Sequence, residues 1–331
     1  MLILLIVIGV IVFLLLVVLG LLTFGYFRNK KRADRQWITY VPEKISNFGS
    51  VKRLRILPLI DWYASKEELK KEPGVSYLVQ ADDNTILLDV GYNRKKEHPS
   101  PLLHNMNNLG VNLKDIQYIF ISHLHLDHTG GFAAQRNRTF RISRDELDMS
   151  HVTAFVPTFM QQRTAQVKVI ERPQVLMPGV ATEGPISRSL FFMGMTMEQA
   201  LVVNVSGKGL VIVVGCGHQG LKRIIGRAEQ IFNEPIYGLI GGLHYPVTCS
   251  RMVLFGLPFQ KMFGTGKLPW QYITKEEVMD SIAFLKAKEP KLVSISAHDS
   301  CDWTLQAFRN AFGNIYQDLQ VGLPIVIEGN K

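Results

Sequence analysis

Residues 118–132 read YIFISHLHLDHTGGF, and this stretch decides how the rest of the chain is interpreted. An apolar, strand-forming run ends at Ser122, and four potential metal ligands follow within six positions: His123, His125, Asp127 and His128. In an extended or turning segment the first two side chains point the same way, whereas the last two lie past the bend. The pattern therefore predicts a loop in which one pair binds a metal ion and the other pair binds a neighbouring ion.

The chemistry of these four side chains limits which metal they bind. Imidazole and carboxylate ligands suit zinc, with manganese and iron as alternatives. The competing interpretation is a solvated, histidine-rich turn. A buried strand, however, has little reason to end in such a cluster without an ion to neutralise it. We therefore expect a divalent-metal centre, with two zinc ions as the first choice.

Composition and charge narrow the class of protein. With 47% apolar and 20% charged residues among 331, the chain is predicted to fold, and disorder is excluded. The formal net charge is +9, and part of the excess lies in one short segment that contains Arg28, Lys30, Lys31, Arg32 and Arg35. A local basic cluster of this kind favours a membrane surface, and no interleaving of basic and aromatic residues marks a nucleic-acid groove. We expect no nucleic-acid partner.

The amino-terminal residues predict a membrane anchor. Residues 2–24 are almost wholly apolar and carry no charge, and about 20 such residues cross the hydrocarbon core. A cleaved signal peptide would begin with a basic region and have a shorter apolar run. The predicted organisation is a transmembrane helix at 1–27, a juxtamembrane linker at 28–50 and one globular domain at 51–331. The basic cluster after the helix places that domain in the cytoplasm, with export as the alternative.

Four further predicted strands end in small residues followed by chemically active side chains. These side chains are Asp89, Cys216 with His218, His244, and His298 with Asp299. Apolar strands that alternate with amphipathic helices predict a layered α/β protein, in which functional side chains gather at one edge of the sheet. We therefore expect these side chains to meet the metal loop, although Asp89 alternatively caps the turn after its strand.

The expected metal pair suggests roles for two carboxylates. Two neighbouring ions lower the pKa of a bridging water towards about 7 and supply hydroxide at neutral pH. Asp127, a ligand next to that water, is suited to accept its proton and is our candidate catalytic residue. Asp89 is better suited to orienting a metal ligand from behind.

Several motifs resemble a known superfamily. LLDVG at 87–91 and HLHLDHTGG at 123–131 resemble the first two signature motifs of the metallo-β-lactamase-fold metallohydrolases. GVSYLVQ at 74–80, GCGHQG at 215–220 and IGGLH at 240–244 are similar to the branch typified by archaeal dihydropterin ribofuranosylaminobenzene phosphate synthase. The resemblance covers residues 54–329. It implies a four-layer αββα sandwich, here preceded by one transmembrane helix, with His218 and His244 completing the metal shells.

Two departures from the family pattern leave alternatives open. Many members have a bridging aspartate after the second hairpin, where this chain has Cys216, so the bridge is a thiolate or only water. The branch often shows His-Cys-Thr-Gly near its end, whereas this chain has His298, Asp299, Ser300 and Cys301. His298 is a candidate ligand, substrate-binding group or general acid, and a core or turn residue is the competing interpretation. Asp299 has no assigned role.

The resemblance implies a hydrolase that uses a metal-bound hydroxide on a phosphoester or related ester of a small molecule. The apolar amino-terminal residues predict that this hydrolase is anchored in a membrane. One alternative is a lactonase or thioesterase that acts on a lipophilic acyl substrate. The aromatic segment 250–272 would suit this role as a loop or lid that touches the membrane, although the same residues equally suit a satellite core. The other alternative is a metal-binding regulatory module without turnover.

Overall fold

Two β-sheets packed face to face form the centre of the molecule in a computed structural model that describes residues 1–330. The strands are β1 (Arg53–Ile60), β2 (Ser76–Ala81), β3 (Asn84–Leu88), β4 (Tyr118–Phe120), β5 (Thr153–Val156), β6 (Gln166–Val169), β7 (Gln174–Met177), β8 (Val180–Thr182), β9 (Ile186–Leu190), β10 (Gly194–Glu198), β11 (Leu201–Val205), β12 (Gly209–Val214), β13 (Ile236–Gly241), β14 (Val253–Leu254), β15 (Leu257–Pro258), β16 (Leu292–Ile295) and β17 (Ile325–Glu328). The helices are α1 (Leu2–Thr39), α2 (Pro101–Asn108), α3 (Leu126–Thr129), α4 (Phe132–Arg136), α5 (Leu221–Ile231), α6 (Phe259–Phe263), α7 (Lys275–Lys286) and α8 (Asp302–Phe312).

Both large sheets are mixed. The first has the order β17-β1-β2-β3-β4-β5-β6, antiparallel as far as β3 and parallel from β3 to β6. The second has the order β16-β13-β12-β11-β8-β7, parallel from β16 to β12 and antiparallel beyond. Two small hairpins, β9–β10 and β14–β15, lie outside these sheets. The strands that lead into the predicted site, β3, β4, β12, β13 and β16, are all among the parallel strands.

The long apolar runs in the strands follow from burial on both faces. In β12, Val211 and Val213 belong to the core between the two sheets, whereas Leu210, Ile212 and Val214 pack with α5, α7 and α8. Successive side chains of a strand point to opposite faces, so a strand covered on both sides has no polar face. The opposite face of the first sheet is covered in the same way by α2. The four-layer αββα sandwich is confirmed.

Helix α1 is longer than the sequence suggested. It is continuous over Leu2–Thr39, so residues 28–39 of the segment predicted as a linker are helical. Packing explains the extension, because Tyr26 and Ala33 are buried and Arg223 Nη2 lies 2.5 Å from Asp34 Oδ1. The helix is long and apolar enough to cross a membrane. It is the one helix of this kind within residues 1–330.

The segment between the metal loop and β11 consists largely of short regular elements. It holds β5 to β10, and the aromatic segment 250–272 holds β14, β15 and α6. These elements have two to five residues each, too short for a period to be recognised. Segment 250–272, expected to be a loop or lid or a satellite core, therefore contains regular elements between residues 253 and 263.

Candidate metal centre

The ten side chains selected from the sequence come together between the ends of the two sheets. β3 and β4 lead into Asp89 and the metal loop, while β12, β13 and β16 lead into the remaining positions. All ten are buried, with at most 9% exposure: Asp89, His123, His125, Asp127, His128, Cys216, His218, His244, His298 and Asp299. Chemically active side chains from distant parts of the chain therefore form a single cluster.

One half of the cluster consists of imidazoles around a thiol. His123 Nε2 lies 3.0 Å from His125 Nδ1, which lies 3.1 Å from His218 Nε2. Donor atoms of His123, His218 and Cys216 all lie within 4.8 Å of one another. The first pair of the metal loop thus meets the residues that follow β12.

The other half contains the second pair of the metal loop. Donor atoms of Asp127, His128, Cys216 and His298 lie within 4.8 Å of one another. Cys216 Sγ is 3.0 Å from His128 Nε2 and 3.1 Å from His298 Nε2. His298 therefore occupies the position next to this pair, and Cys216 belongs to both halves.

His244 lies at the edge of the cluster. It forms a third group with Cys216 and Asp299, whose donor atoms also lie within 4.8 Å of one another. Its backbone N–H donates to Asp299 Oδ2 over 2.9 Å, and its φ of 54° is unusual for a residue other than glycine. The buried Nδ1 atom of His244 has no hydrogen-bond partner within residues 1–330. His244 Nδ1 is therefore free to bind an ion. His244 is the one histidine in the group that it forms with Cys216 and Asp299.

Hydrogen bonds behind the cluster decide which imidazole nitrogen points inward. His128 Nδ1 is 2.6 Å from Asp89 Oδ2, and His218 Nδ1 donates to the carbonyl of Gly264 over 2.8 Å. His298 Nδ1 is 2.6 Å from Ser296 Oγ. In neutral His218 and His298, an Nδ1 that donates outward leaves an unprotonated Nε2 facing the other donor atoms. Asp89 therefore contacts the outward-facing nitrogen of His128, and its role in orienting a metal ligand stays a prediction.

Two buried carboxylates that the sequence analysis missed support the cluster. Glu198 Oε1 accepts the backbone N–H groups of Cys216 and Gly217, and its Oε2 accepts that of His218, over 2.8–2.9 Å. Asp61 Oδ2 accepts from Ser296 Oγ over 2.6 Å. Neither carboxylate belongs to a recognisable sequence motif. The one available signal was that Glu198 is a charged residue within an apolar stretch.

Electrostatics keeps most of the imidazoles neutral. Burial lowers the pKa of His125 to about 3 and that of His244 to about 4, and holds the pKa of His123, His218 and His298 well below the ordinary value. Neutral imidazole is the form that binds a cation. The cluster is therefore prepared for metal binding at neutral pH.

His128 is the exception among the histidines. Burial lowers its pKa, but the charges of Asp89 and Asp127 outweigh this effect and raise the pKa to about 9. Burial also raises the pKa of the Asp127 carboxyl and of the Cys216 thiol. A divalent ion reverses these preferences, because it replaces the proton on each donor atom.

The donor set fits a divalent cation. His125 Nδ1 lies 3.0 Å from His123 Nε2 and 3.1 Å from His218 Nε2. Since this nitrogen carries at most one hydrogen, it cannot donate to both neighbours, whereas a cation would bind all three nitrogens. Zinc–nitrogen bonds of about 2.0–2.1 Å in a tetrahedron separate neighbouring ligand atoms by about 3.3 Å, close to these spacings. Gly264 is needed for this arrangement of the histidines, because a Cβ at position 264 would overlap the His244 ring.

Two openings lead to the cluster. A small one of about 40 Å³ is lined by His125, Asp127 and His218 together with apolar Met193, Met252 and Phe259. A larger cavity of about 450 Å³ is lined by His218 and His244 together with Arg188, Lys222, Arg223 and Lys267. The cluster is thus bordered by an apolar opening on one side and by cationic side chains on another.

Comparison with known proteins agrees with this architecture. Residues 69–140 match the model of the metallo-beta-lactamase superfamily. A solved protein described as Tm1679, a metal-dependent hydrolase of the beta-lactamase superfamily, is 20% identical, with a TM-score of 0.58, and the match covers 83% of this chain and 99% of that chain. This chain has the metallo-β-lactamase fold. The resemblance drawn from the motifs is confirmed.

A curated relative supports the branch that the motifs suggested. The 7,8-dihydropterin-6-methyl-4-(beta-D-ribofuranosyl)-aminobenzene-5'-phosphate synthase of Methanocaldococcus jannaschii is 27% identical over 261 residues, which cover 68% of this chain and 88% of that protein. On this metallo-β-lactamase fold, the donor atoms at the ends of β4, β12 and β16 form a site for divalent metal.

Proposed function

We propose that the protein is a membrane-anchored, metal-dependent hydrolase of a small-molecule phosphoester or related ester. The observation that carries this proposal is the packing of inward-facing imidazole nitrogens and the Cys216 thiol beside a cationic cavity. His123, His125 and His218 would hold one ion, and Asp127, His128 and His298 the other, with Cys216 between them. Zinc is favoured by imidazole and thiol donors, with manganese or iron as alternatives.

Divalent ions bound by these residues would supply hydroxide at neutral pH and would polarise the ester oxygen under attack. The side chains of the protein would position the metal ligands and accept the proton of the attacking water. Asp127 lines the apolar opening, so its carboxylate is accessible to water and substrate and accepts the proton of the attacking water. Asp89 and Glu198 keep His128 and residues 216–218 in place through the contacts described above. Asp299 holds the backbone of His244, so His244 is available to touch the substrate or an ion.

Cationic side chains favour a phosphoester. Lys267 Nζ lies 2.5 Å from Glu277 and Arg223 lies 2.5 Å from Asp34, so both charges are compensated. Arg188 differs, because its buried Nε has no hydrogen-bond partner within residues 1–330. A guanidinium with a free donor suits phosphate oxygens. The name of the Methanocaldococcus relative also contains a 5'-phosphate, but that relative is a synthase, so the proposal of hydrolysis rests on the donor set.

A second candidate is supported by the apolar opening. Met193, Met252 and Phe259 lie beside His125 and Asp127, a lining that suits the acyl chain of a lactone or thioester. The two candidates share the metal centre and the water that Asp127 deprotonates. They differ in whether Arg188 is needed.

The membrane topology is part of the proposal. Helix α1 would cross the bilayer once, and the basic residues that follow the apolar run would keep the domain in the cytoplasm. Cys249 is exposed, whereas Cys216 and Cys301 are buried, so Cys249 reports on the side of the membrane. In intact cells an impermeant maleimide should not label Cys249. Labelling there would indicate export.

Hydrolysis is tested by assays of the full-length protein in detergent on a phosphodiester, a lactone and a thioester. Asp127→Asn should lower kcat/KM on the true substrate class by about 10²–10⁴-fold, because it removes the proton acceptor. Asp115→Asn, an exposed aspartate, is the matched control. Metal binding without Asp127-dependent turnover on any ester would favour the regulatory module, and wild-type rates in Asp127→Asn would contradict the assigned role.

A further inference from the structure

The helix that carries the membrane span is fixed to the domain without a flexible connection. Tyr26 Oη donates to the carbonyl of Gly266 over 2.7 Å, and Ser189 Oγ donates to the carbonyl of Tyr26 over 3.1 Å. The 23 exposed or half-exposed residues from 2 to 24 extend about 34 Å at about 1.5 Å per residue, close to the thickness of a hydrocarbon core. The boundary of the bilayer therefore falls next to Tyr26, where the domain begins.

Aromatic side chains surround that point. Phe191 lies 5.9 Å from Tyr26 and 6.2 Å from Trp270, measured between ring centroids. Phe192, Phe255 and Trp270 are 63%, 95% and 57% exposed. We call these three residues, together with half-exposed Leu254, the aromatic face. Exposed aromatic rings next to a span match the belt of Trp and aromatic residues found at membrane interfaces.

The segments that carry the aromatic face also border the apolar opening of the metal centre. Met193 follows Phe192 directly, and Phe259 begins the helix that follows the β14–β15 hairpin with Phe255 at its turn. The two segments meet where Phe263 packs on Phe191 and Phe192, with 6.5 and 5.7 Å between ring centroids, and Phe191 in turn packs on Tyr26 of α1. A substrate that enters through the apolar opening meets apolar side chains first and His125 and Asp127 beyond them.

We propose that the aromatic face lies in the interface of the same bilayer that α1 crosses, and that the metal centre takes its substrate from that bilayer. The substrate is then an amphiphile whose apolar part stays among lipids while its phosphoester head reaches the metal centre and Arg188. The choice of head group rests on the proposed function, whereas the contact with the bilayer rests on α1 and the aromatic face. The basic residues at 28–35 suit the anionic lipids of such a surface.

Depth of insertion tests the contact independently of activity. The full-length protein with Cys249→Ser is labelled with an environment-sensitive fluorophore at Phe255→Cys or at Val326→Cys, and placed in vesicles of phosphatidylcholine and phosphatidylglycerol with brominated acyl chains. Val326 is a half-exposed apolar residue on β17, away from α1, and is the matched control. We expect bromine to quench the label at 255 and not at 326. Equal absence of quenching at both positions would overturn the proposal.

Hydrolysis rates on an embedded and a water-soluble substrate test whether the metal centre takes its substrate from the bilayer. With Phe192→Ser and Phe255→Ser combined, hydrolysis of a phosphoester amphiphile embedded in vesicles should fall about tenfold or more, while hydrolysis of a water-soluble phosphodiester stays unchanged. Val326→Ser should leave both rates unchanged. Equal rates on the embedded substrate in the double variant and wild type would overturn substrate uptake from the bilayer. If the wild type hydrolyses neither substrate, the proposed hydrolase function fails, and quenching at 255 still decides the contact.

Discussion

His128 lies between Asp89 and Cys216, with Nδ1 2.6 Å from the carboxylate and Nε2 3.0 Å from the sulfur. The carboxylate thus fixes the ring so that Nε2 faces the other donor atoms. Asp89→Asn keeps the shape but weakens this hydrogen bond and removes the charge. We expect metal affinity to fall about 10–100-fold, measured by competition with a chromophoric chelator. Asp83→Asn, an exposed aspartate in the turn between β2 and β3, should bind like the wild type. An unchanged affinity in Asp89→Asn would show that Asp89 does not orient a ligand.

Cys216 lies in all three groups of candidate ligands, so its sulfur should bind metal. In the cobalt-loaded protein a bound thiolate gives an intense near-ultraviolet charge-transfer band, because a coordinated thiol is deprotonated. We expect this band in the wild type and in Cys249→Ser, and its loss in Cys216→Ser. A band of full intensity in Cys216→Ser would show that another thiol binds the cobalt, and the absence of the band in the wild type would mean that water alone bridges the two halves.

Arg188 separates the two candidate substrate classes. Arg188 lines the cationic cavity, and its buried Nε has no hydrogen-bond partner within residues 1–330. Arg188→Gln should raise KM for a phosphodiester about 10–100-fold, since a hydrogen bond to a charged group contributes about 1.5–3 kcal/mol, and should leave lactone or thioester hydrolysis unchanged. Lys168→Gln, on exposed β6, is the control for loss of a positive charge. An equal effect of Arg188→Gln on both ester classes would argue against a phosphate contact.

Glu183 makes stability depend on pH. Burial raises its pKa to about 8, although the charge of Arg227 and a hydrogen bond from Gln219 oppose the shift. In the unfolded chain the pKa is about 4.3. The folded state thus holds the proton more tightly, so the contribution of Glu183 to the free energy of unfolding is fully present below about pH 4.3 and is lost as the pH rises through 8.

Denaturant unfolding in detergent at a series of pH values measures this loss. Between pH 5 and 8.5 the free energy of unfolding should fall on the order of 3 kcal/mol further in the wild type than in Glu183→Gln. Glu67→Gln, at an exposed position, should follow the wild type. An identical pH dependence of the free energy of unfolding in Glu183→Gln and wild type would show that Glu183 does not bind the proton responsible.

Local patterns in the sequence were sufficient to predict the longer strands, several helices that cover them and the side chains that follow the strand ends, whereas the two-sheet sandwich was implied by the family resemblance. β12 is recognisable because both of its faces are buried and its residues are therefore all apolar. The side chains that follow β4, β12, β13 and β16 could be expected to meet because parallel strands end at one edge. Short strands such as β8, with three residues, carry no comparable signal.

Specific contacts between residues that are distant in the sequence could not be predicted from it. Glu198 supports residues 216–218 from the end of β10, and Asp61 reaches Ser296 from a different sheet. No spacing rule connects such positions, because the contacts depend on how the two sheets are placed. The same is true of His298, which the sequence left with several roles and the fold brings to 3.1 Å from Cys216 Sγ. The helical extension of α1 to residue 39 likewise depends on its packing against β9 and β10.

Metal content per chain tests the central claim, that the cluster around Cys216 binds divalent metal. Inductively coupled plasma mass spectrometry on the purified full-length protein should find about two divalent ions per wild-type chain. A variant with both His218→Ala and His298→Ala should hold far less metal, with an unchanged circular dichroism spectrum as evidence of folding. A folded wild type without divalent metal, or equal metal in the double variant, would contradict the account.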